Sequence, residues 1–237
     1  MTNALRAELR SMRTSRAVTL TVLATAVIAA VIAVADRQNK LTGLLQPETV
    51  ALSLGVLIIG AIAGGTDYQH RTIEWTLLGT PRRGSAGAAK LAAALLTGVL
   101  VAALILTLTW VIAAAVNSGL RVGVPTGTLI AGQLALGALT GAFGLACGLA
   151  LRSLPGAVGT VLVIALLLPI VFQVKKSLNH VIEFLPYGEL SAAASALGSS
   201  PANAGTQLSA LTAGVVLLGW TALIATIALT RLNSQDA

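Results

Sequence analysis

Gly64–Lys90 reads GGTDYQHRTIEWTLLGTPRRGSAGAAK, the longest densely charged and hydrogen-bonding insertion in an otherwise oily chain. Apolar runs long enough to cross a bilayer lie on both sides of it. A polar segment placed between two such runs belongs in water at a membrane surface, and the runs themselves belong in hydrocarbon as helices. Within the insertion, Ile73, Trp75, Leu77 and Leu78 are interleaved with Asp67, His70, Arg71, Glu74, Arg82 and Arg83. A solvated loop accounts for any one of these charges taken singly, but it has little use for a tryptophan and three aliphatics. A short helix with an apolar ridge, bounded by Gly79, Thr80 and Pro81, uses both sets. Such an element inserts its ridge into a groove on a partner while the flanking charges set register.

Composition extends this reading to the whole chain. Of 237 residues, 56% are hydrophobic and 10% charged, well under half the charge content of a soluble domain. Mean hydropathy is +0.88. At about 20 apolar residues per span, the length allows about six spans and no sizeable soluble domain, so catalysis in water belongs to another chain. The formal net charge of +7 is read as a topology signal rather than as a nucleic-acid footprint. Cys147 is the single cysteine, inside an apolar run, which precludes an internal disulfide or a multi-thiolate metal site.

Outward from the insertion, the chain divides as follows. Residues 1–16 place Arg6, Arg10, Arg13 and Arg16 on one side of a helix and Leu5, Leu9 and Met12 on an adjacent side. This is an amphipathic helix for an anionic membrane surface, apolar face at the acyl boundary and arginines at the headgroups. Span one is 17–35, read as a signal anchor rather than a cleaved leader. A polar loop, 36–48, precedes span two at 49–65, and the polar segment occupies 66–85. Span three, 86–115, has Lys90 near its start, placed to snorkel toward the interface. Span four, 126–151, carries Gly137, Gly141, Gly144 and Gly148, a stripe suited to close helix contact. Span five, 155–174, tolerates Pro155 in its first turn, whereas Pro169 kinks or shortens it. Residues 178–201 form short outer-face helices, re-entrant in one reading, and span six is 208–229. The fold class is therefore an all-α integral membrane protein with a single transmembrane domain over 1–237.

Charge fixes the expected orientation. With both ends inside, the cytoplasmic segments hold ten Lys and Arg residues against five outside, favouring cytoplasmic N and C termini. No Asp, Glu, Lys, Arg or His falls in the middle of a predicted span, which argues against an ion-coupled carrier. None of the four lysines sits in a phosphate-binding loop, His70 and His180 fall on opposite membrane sides, and no serine triad or HExxH pattern is present. The chain is thus not expected to be an enzyme, nor to hold a metal or cofactor. Nothing in these residues excludes a membrane anchor or sensor that docks a soluble partner without a transport path.

The run Asp67-Tyr68 through Leu77-Leu78-Gly79-Thr80-Pro81-Arg82-Arg83 to Lys90, after the second of about six spans and with an arginine-bearing first helix, resembles the permease subunit of an ATP-binding-cassette exporter of the type-2 class. The resemblance implies that two such permeases pair, as a homodimer or heterodimer, on two copies of a separate ATPase subunit that binds ATP and Mg. It implies that residues 1–16 are the elbow helix. It also implies that Asp67, Arg71, Ile73, Glu74, Trp75, Leu77, Leu78, Arg82 and Arg83 belong to a coupling helix that enters the ATPase. The related pattern often has Gly-Thr where this chain has Arg71-Thr72. The expected activity is export across the cell membrane. Spans rich in Ala, Leu, Val, Ile, Gly and Thr fit an apolar or amphipathic cargo such as a drug, peptide or lipid.

Overall fold

The computed structural model describes residues 2–35, 41–69, 83–116, 126–167 and 210–233, and among these every regular element is a helix. They are α1 (Thr2–Thr14), α2 (Arg16–Ala35), α3 (Leu41–Gln69), α4 (Arg83–Val116), α5 (Thr126–Leu151), α6 (Leu154–Leu162) and α7 (Ala210–Asn233). A π turn, Val163–Leu167, continues α6.

Among the described residues, four stretches are long and apolar enough to cross a membrane: Arg16–Val34 in α2, Gly87–Ile112 in α4, Ile130–Leu151 in α5 and Gly214–Arg231 in α7. Shorter apolar stretches, Ala51–Thr66 and Leu154–Leu167, lie in α3 and in α6 with its π turn. The outer faces are aliphatic: Leu20, Leu100, Val111 and Val215 are each more than 60% exposed. Apolar side chains ringing a bundle in this way are a liability in water and the ordinary state of a helix facing lipid.

The centre of the bundle is α5, in which every residue from Gly141 to Leu149 is buried. It packs on α3, α4, α6 and α7, most extensively on α3. Glycine makes that approach possible. A Cβ on Gly148 would lie 2.8 Å from the Ala61 carbonyl oxygen and from the Gly64 Cα, and a Cβ on Gly141 would lie 2.9 Å from the Ala94 carbonyl oxygen. Gly144 faces the Leu57 carbonyl on α3, whereas Gly137 faces Gly98 and Ala102 on α4. The four glycines therefore serve two contacts: Gly144 and Gly148 seat α3, Gly137 seats α4, and Gly141 reaches Val56 on α3 as well as Ala94 and Gly98 on α4. Without a hydrophobic force between helices in lipid, such backbone proximity and its dispersion energy hold the bundle together.

Local structure departs from the sequence reading in two places. The loop expected over 36–48 is shorter, because α3 already begins at Leu41 and carries Pro47 within the helix. A proline's φ is itself helical, so a Gln-Pro-Glu cluster is not enough to end a helix that Leu44 and Leu45 favour. At the other end α3 runs on through Asp67 and Tyr68 to Gln69, beyond the expected limit of span two. At about 1.5 Å per residue its 29 residues extend about 44 Å, more than the hydrocarbon thickness.

Between α5 and α6 the chain turns in two residues. Arg152 takes φ 53°, and Ser153 caps α6 by accepting a hydrogen bond from the Gly156 N–H at 3.1 Å, with Pro155 in the first turn. The π turn covers Ala165, the residue whose carbonyl a proline at 169 would crowd; Pro169 itself lies outside the described residues. So do the remainder of the expected span five and the expected outer helices of 178–201.

Candidate functional site

Among the described residues, one end of the bundle gathers most of the charge. Gly65, near the end of α3, abuts Leu154 at the start of α6, and Tyr68 lies beneath Arg152. Arg152 reaches the end of α7, while Lys90, near the start of α4, reaches α1. The helices from α2 to α7 therefore alternate in direction. The residues that flank the polar segment, Gln69 and Arg83, emerge at the same end as α1 and the last turn of α7.

At that end α1 is docked rather than free. Met12 is 7% exposed, and its sulfur lies 3.2 Å from the Thr97 hydroxyl of α4, whose proton is shared with the Ala93 carbonyl at 2.8 Å. Glu8, one turn earlier on the same face, pairs with Lys90, Oε1 to Nζ 2.7 Å, with side-chain exposures of 18% and 7%. These contacts correct two expectations. The Leu5, Leu9 and Met12 face was expected at the acyl boundary, yet Leu5 and Leu9 are half-buried and Met12 is inserted against α3 and α4. Lys90 was expected to snorkel, yet its stem and ammonium are buried under α1. In both cases a partner helix supplies what lipid or water would have supplied: an apolar slot for the thioether and a carboxylate for the ammonium.

Between α1 and α3 a cleft lined by Glu8, Ser11, Met12, Ser15, Ile62 and Thr66 has room for about one water molecule. Its walls are mixed, with Glu8, Ser11 and Ser15 facing Ile62, Ala63 and Thr66 of α3. The α1–α2 junction is the single residue Ser15. Its N–H still donates to the Ser11 carbonyl at 3.1 Å and its carbonyl still accepts from Thr19 N–H at 3.1 Å. Thr14 bonds back to the Arg10 and Ser11 carbonyls, a local competition that favours a bend at this position.

A second cluster closes α5, α6 and α7. Arg152 Nη2 donates to the Arg231 carbonyl at 2.7 Å, and Arg231 Nη1 donates to the Ala150 carbonyl at 3.1 Å. Each guanidinium thus caps the C-terminal carbonyls of the other helix, where the dipole favours a cation. The Arg152 guanidinium carbon lies 5.8 Å from the centre of the Tyr68 ring, within cation–π range. This cluster ties the end of α3, and with it the approach to the polar segment, to the C-terminal ends of α5 and α7.

The residues singled out in the sequence fall as follows. Arg6, Arg10 and Arg13 on α1 and Arg16, the first residue of α2, are exposed. Asp67 lies in the last turn of α3 and Arg83 is the first residue of α4. Arg71, Ile73, Glu74, Trp75, Leu77, Leu78 and Arg82 lie outside the described residues. Gly137, Gly141, Gly144 and Gly148 are all at the helix contacts described above. Among the described residues, no group of three or more His, Cys, Asp or Glu comes together.

Sequence reasoning missed Glu8 and the Arg152–Arg231 exchange. Glu8 carried a signal, being a lone acid on the face that bears Leu5, Leu9 and Met12, where a membrane-surface helix has no use for a carboxylate. The arginine exchange carried none, since it depends on where α7 ends relative to α5. No protein-family model matches the sequence, and no curated protein matches it.

Proposed function

We propose that this chain is the permease subunit of an ATP-driven exporter, with six spans and with both termini and the 66–85 segment on the cytoplasmic side. One observation carries the reading: the two helix ends that flank the polar, tryptophan-bearing segment emerge beside α1 and are braced by buried or half-buried charged contacts. A segment held between braced helix ends transmits force, whereas a solvating loop needs no bracing. The basic residues of α1, Arg152 and Arg231 at this end support a cytoplasmic orientation.

In this reading two permeases pair over two copies of a separate ATPase. Ile73, Trp75, Leu77 and Leu78 form the ridge that enters the ATPase, and Asp67, Arg71, Glu74, Arg82 and Arg83 frame it. ATP and Mg act on the ATPase. Closure of its dimer moves the ridge and shifts the membrane dimer between inward- and outward-accessible arrangements. The nucleotide contributes only its difference in affinity for the two states. The cargo is apolar or amphipathic, matching the aliphatic spans.

The test is reconstitution of the chain with its ATPase in liposomes. Trp75→Ala and Leu77→Asp are expected to lower ATP-driven cargo movement at least about tenfold, as loss of a central anchor does at other interfaces, with melting of the membrane subunit unchanged. Normal pumping by either variant refutes the docking role. ATP turnover without movement of any cargo by the unaltered complex instead identifies a membrane anchor or sensor.

A further inference from the structure

We infer that Glu8 and Lys90 are positioning residues: their ion pair clamps α1 across α3 and α4 and thereby holds the two helices that flank the polar segment in one register. The inference rests on the permease reading for its functional consequence, but the clamp itself stands on geometry. Lys90 lies two turns into α4, immediately after the segment, and its ammonium meets Glu8 at 2.7 Å. On the opposite side of the same α1 face, Glu8 and Met12 border the cleft against Ile62 and Thr66, the last turns of α3 before the segment. α1 thus meets α4 at the ion pair and borders α3 across the cleft within one turn of its own length. Met12 reaches further in, meeting Thr97 of α4 and sharing a small cavity with Gly60 of α3 and Gly98 of α4.

A relative displacement of α3 and α4 at this end must lift α1 from one of them, and the ion pair, together with Met12, is what holds α1 on α4. Because the pair is largely shielded from water, separating the charges is costly unless both are rehydrated together. That makes the contact two-valued, either closed and dry or open and wet, which is the property a positioning element needs.

Ala63 of α3 lies under α1, lining both the cleft and the small cavity, and serves as the reporter. In the full-length chain carrying Cys147→Ala and Ala63→Cys, reaction with a water-soluble maleimide is measured in liposomes without ATPase. Glu8→Gln and Lys90→Gln are expected to speed labelling by at least about tenfold, because removing one partner of a largely shielded pair leaves the other charge uncompensated. Glu8→Lys combined with Lys90→Glu is expected to return it to the parental rate. The Glu8→Gln/Lys90→Gln double variant removes both charges of the pair together, so it tests the clamp even where a single variant fails to accumulate, and it is expected to label fast. Equal rates in the parent and the neutral double variant overturn the clamp.

The functional arm is ATP turnover by the co-reconstituted ATPase. The neutral double variant is expected to lose coupling at least about fivefold and the charge-swapped pair to regain it, a rescue that a merely structural contact does not predict. Labelling that responds to the pair while coupling does not overturns the positioning role. Absence of any ATP-dependent cycle in the unaltered protein defeats the permease reading, and the labelling arm then decides the clamp by itself.

Discussion

Gly148→Ala tests the physical basis of the bundle directly. The added Cβ would stand 2.8 Å from both the Ala61 carbonyl oxygen and the Gly64 Cα, and 2.9 Å from the Gly64 carbonyl carbon. All three are backbone atoms of α3, so no side chain can rotate away. Carbon atoms rest about 3.5–4.0 Å apart, and α3 and α5 must therefore separate by about 0.7 Å or more. A gap of that size forfeits roughly a quarter to a half of each contact's 0.1–0.2 kcal/mol. Over a patch of about fifty atom pairs this amounts to about 2–3 kcal/mol. Alanine's better helix propensity returns about 1 kcal/mol, leaving a net loss of about 1–2 kcal/mol. For a chain of this length that lowers the melting temperature by about 2–8 °C. The control is Gly219→Ala on α7, where an added Cβ meets nothing within 4 Å; the same propensity gain is then uncompensated and melting is unchanged or slightly raised. Detergent-solubilised protein, heated and assayed by size exclusion for the surviving monodisperse peak, measures both. The reasoning is refuted by Gly148→Ala melting within about 1 °C of the parent, or by Gly219→Ala falling as far as Gly148→Ala.

Further outcomes follow from the turn between α5 and α6 and from the docking ridge. Ser153→Ala removes the oxygen that accepts from Gly156 N–H and is expected to cost about 1 kcal/mol, read as a fall of about 2–4 °C in the same assay. Arg152→Ala and Arg152→Gly both lose the bond to the Arg231 carbonyl, but glycine relieves the left-handed backbone at φ 53°. Arg152→Gly is therefore expected to melt above Arg152→Ala, by the equivalent of about 1 kcal/mol. Equal melting of the two indicates that the φ value carries no strain. Trp75→Ala and Leu77→Asp, expected to uncouple ATP turnover from cargo movement, should leave melting unaltered, because the ridge is assigned to a partner rather than to the bundle.

The sequence by itself determined that this chain is helical and apolar, because composition and run length suffice where the solvent is hydrocarbon: each span satisfies its own backbone hydrogen bonds. It also located the glycine stripe, since a spacing of three and four places small residues on one face whatever the neighbours are. It did not determine which helix that face meets. The division, with Gly144 and Gly148 on α3, Gly137 on α4 and Gly141 reaching both, depends on three helices converging, and no periodicity encodes that. The same holds for charge. The arginines of α1 were legible as a polar face, and they are exposed. Lys90 was misread because a lysine near a span end has two good solutions, reaching water or meeting an acid, and only the position of α1 over α4 selects the second. Local physics thus set what each segment is, and tertiary contact set what its polar groups are for, because in a low-dielectric interior a charge is defined by the partner that neutralises it.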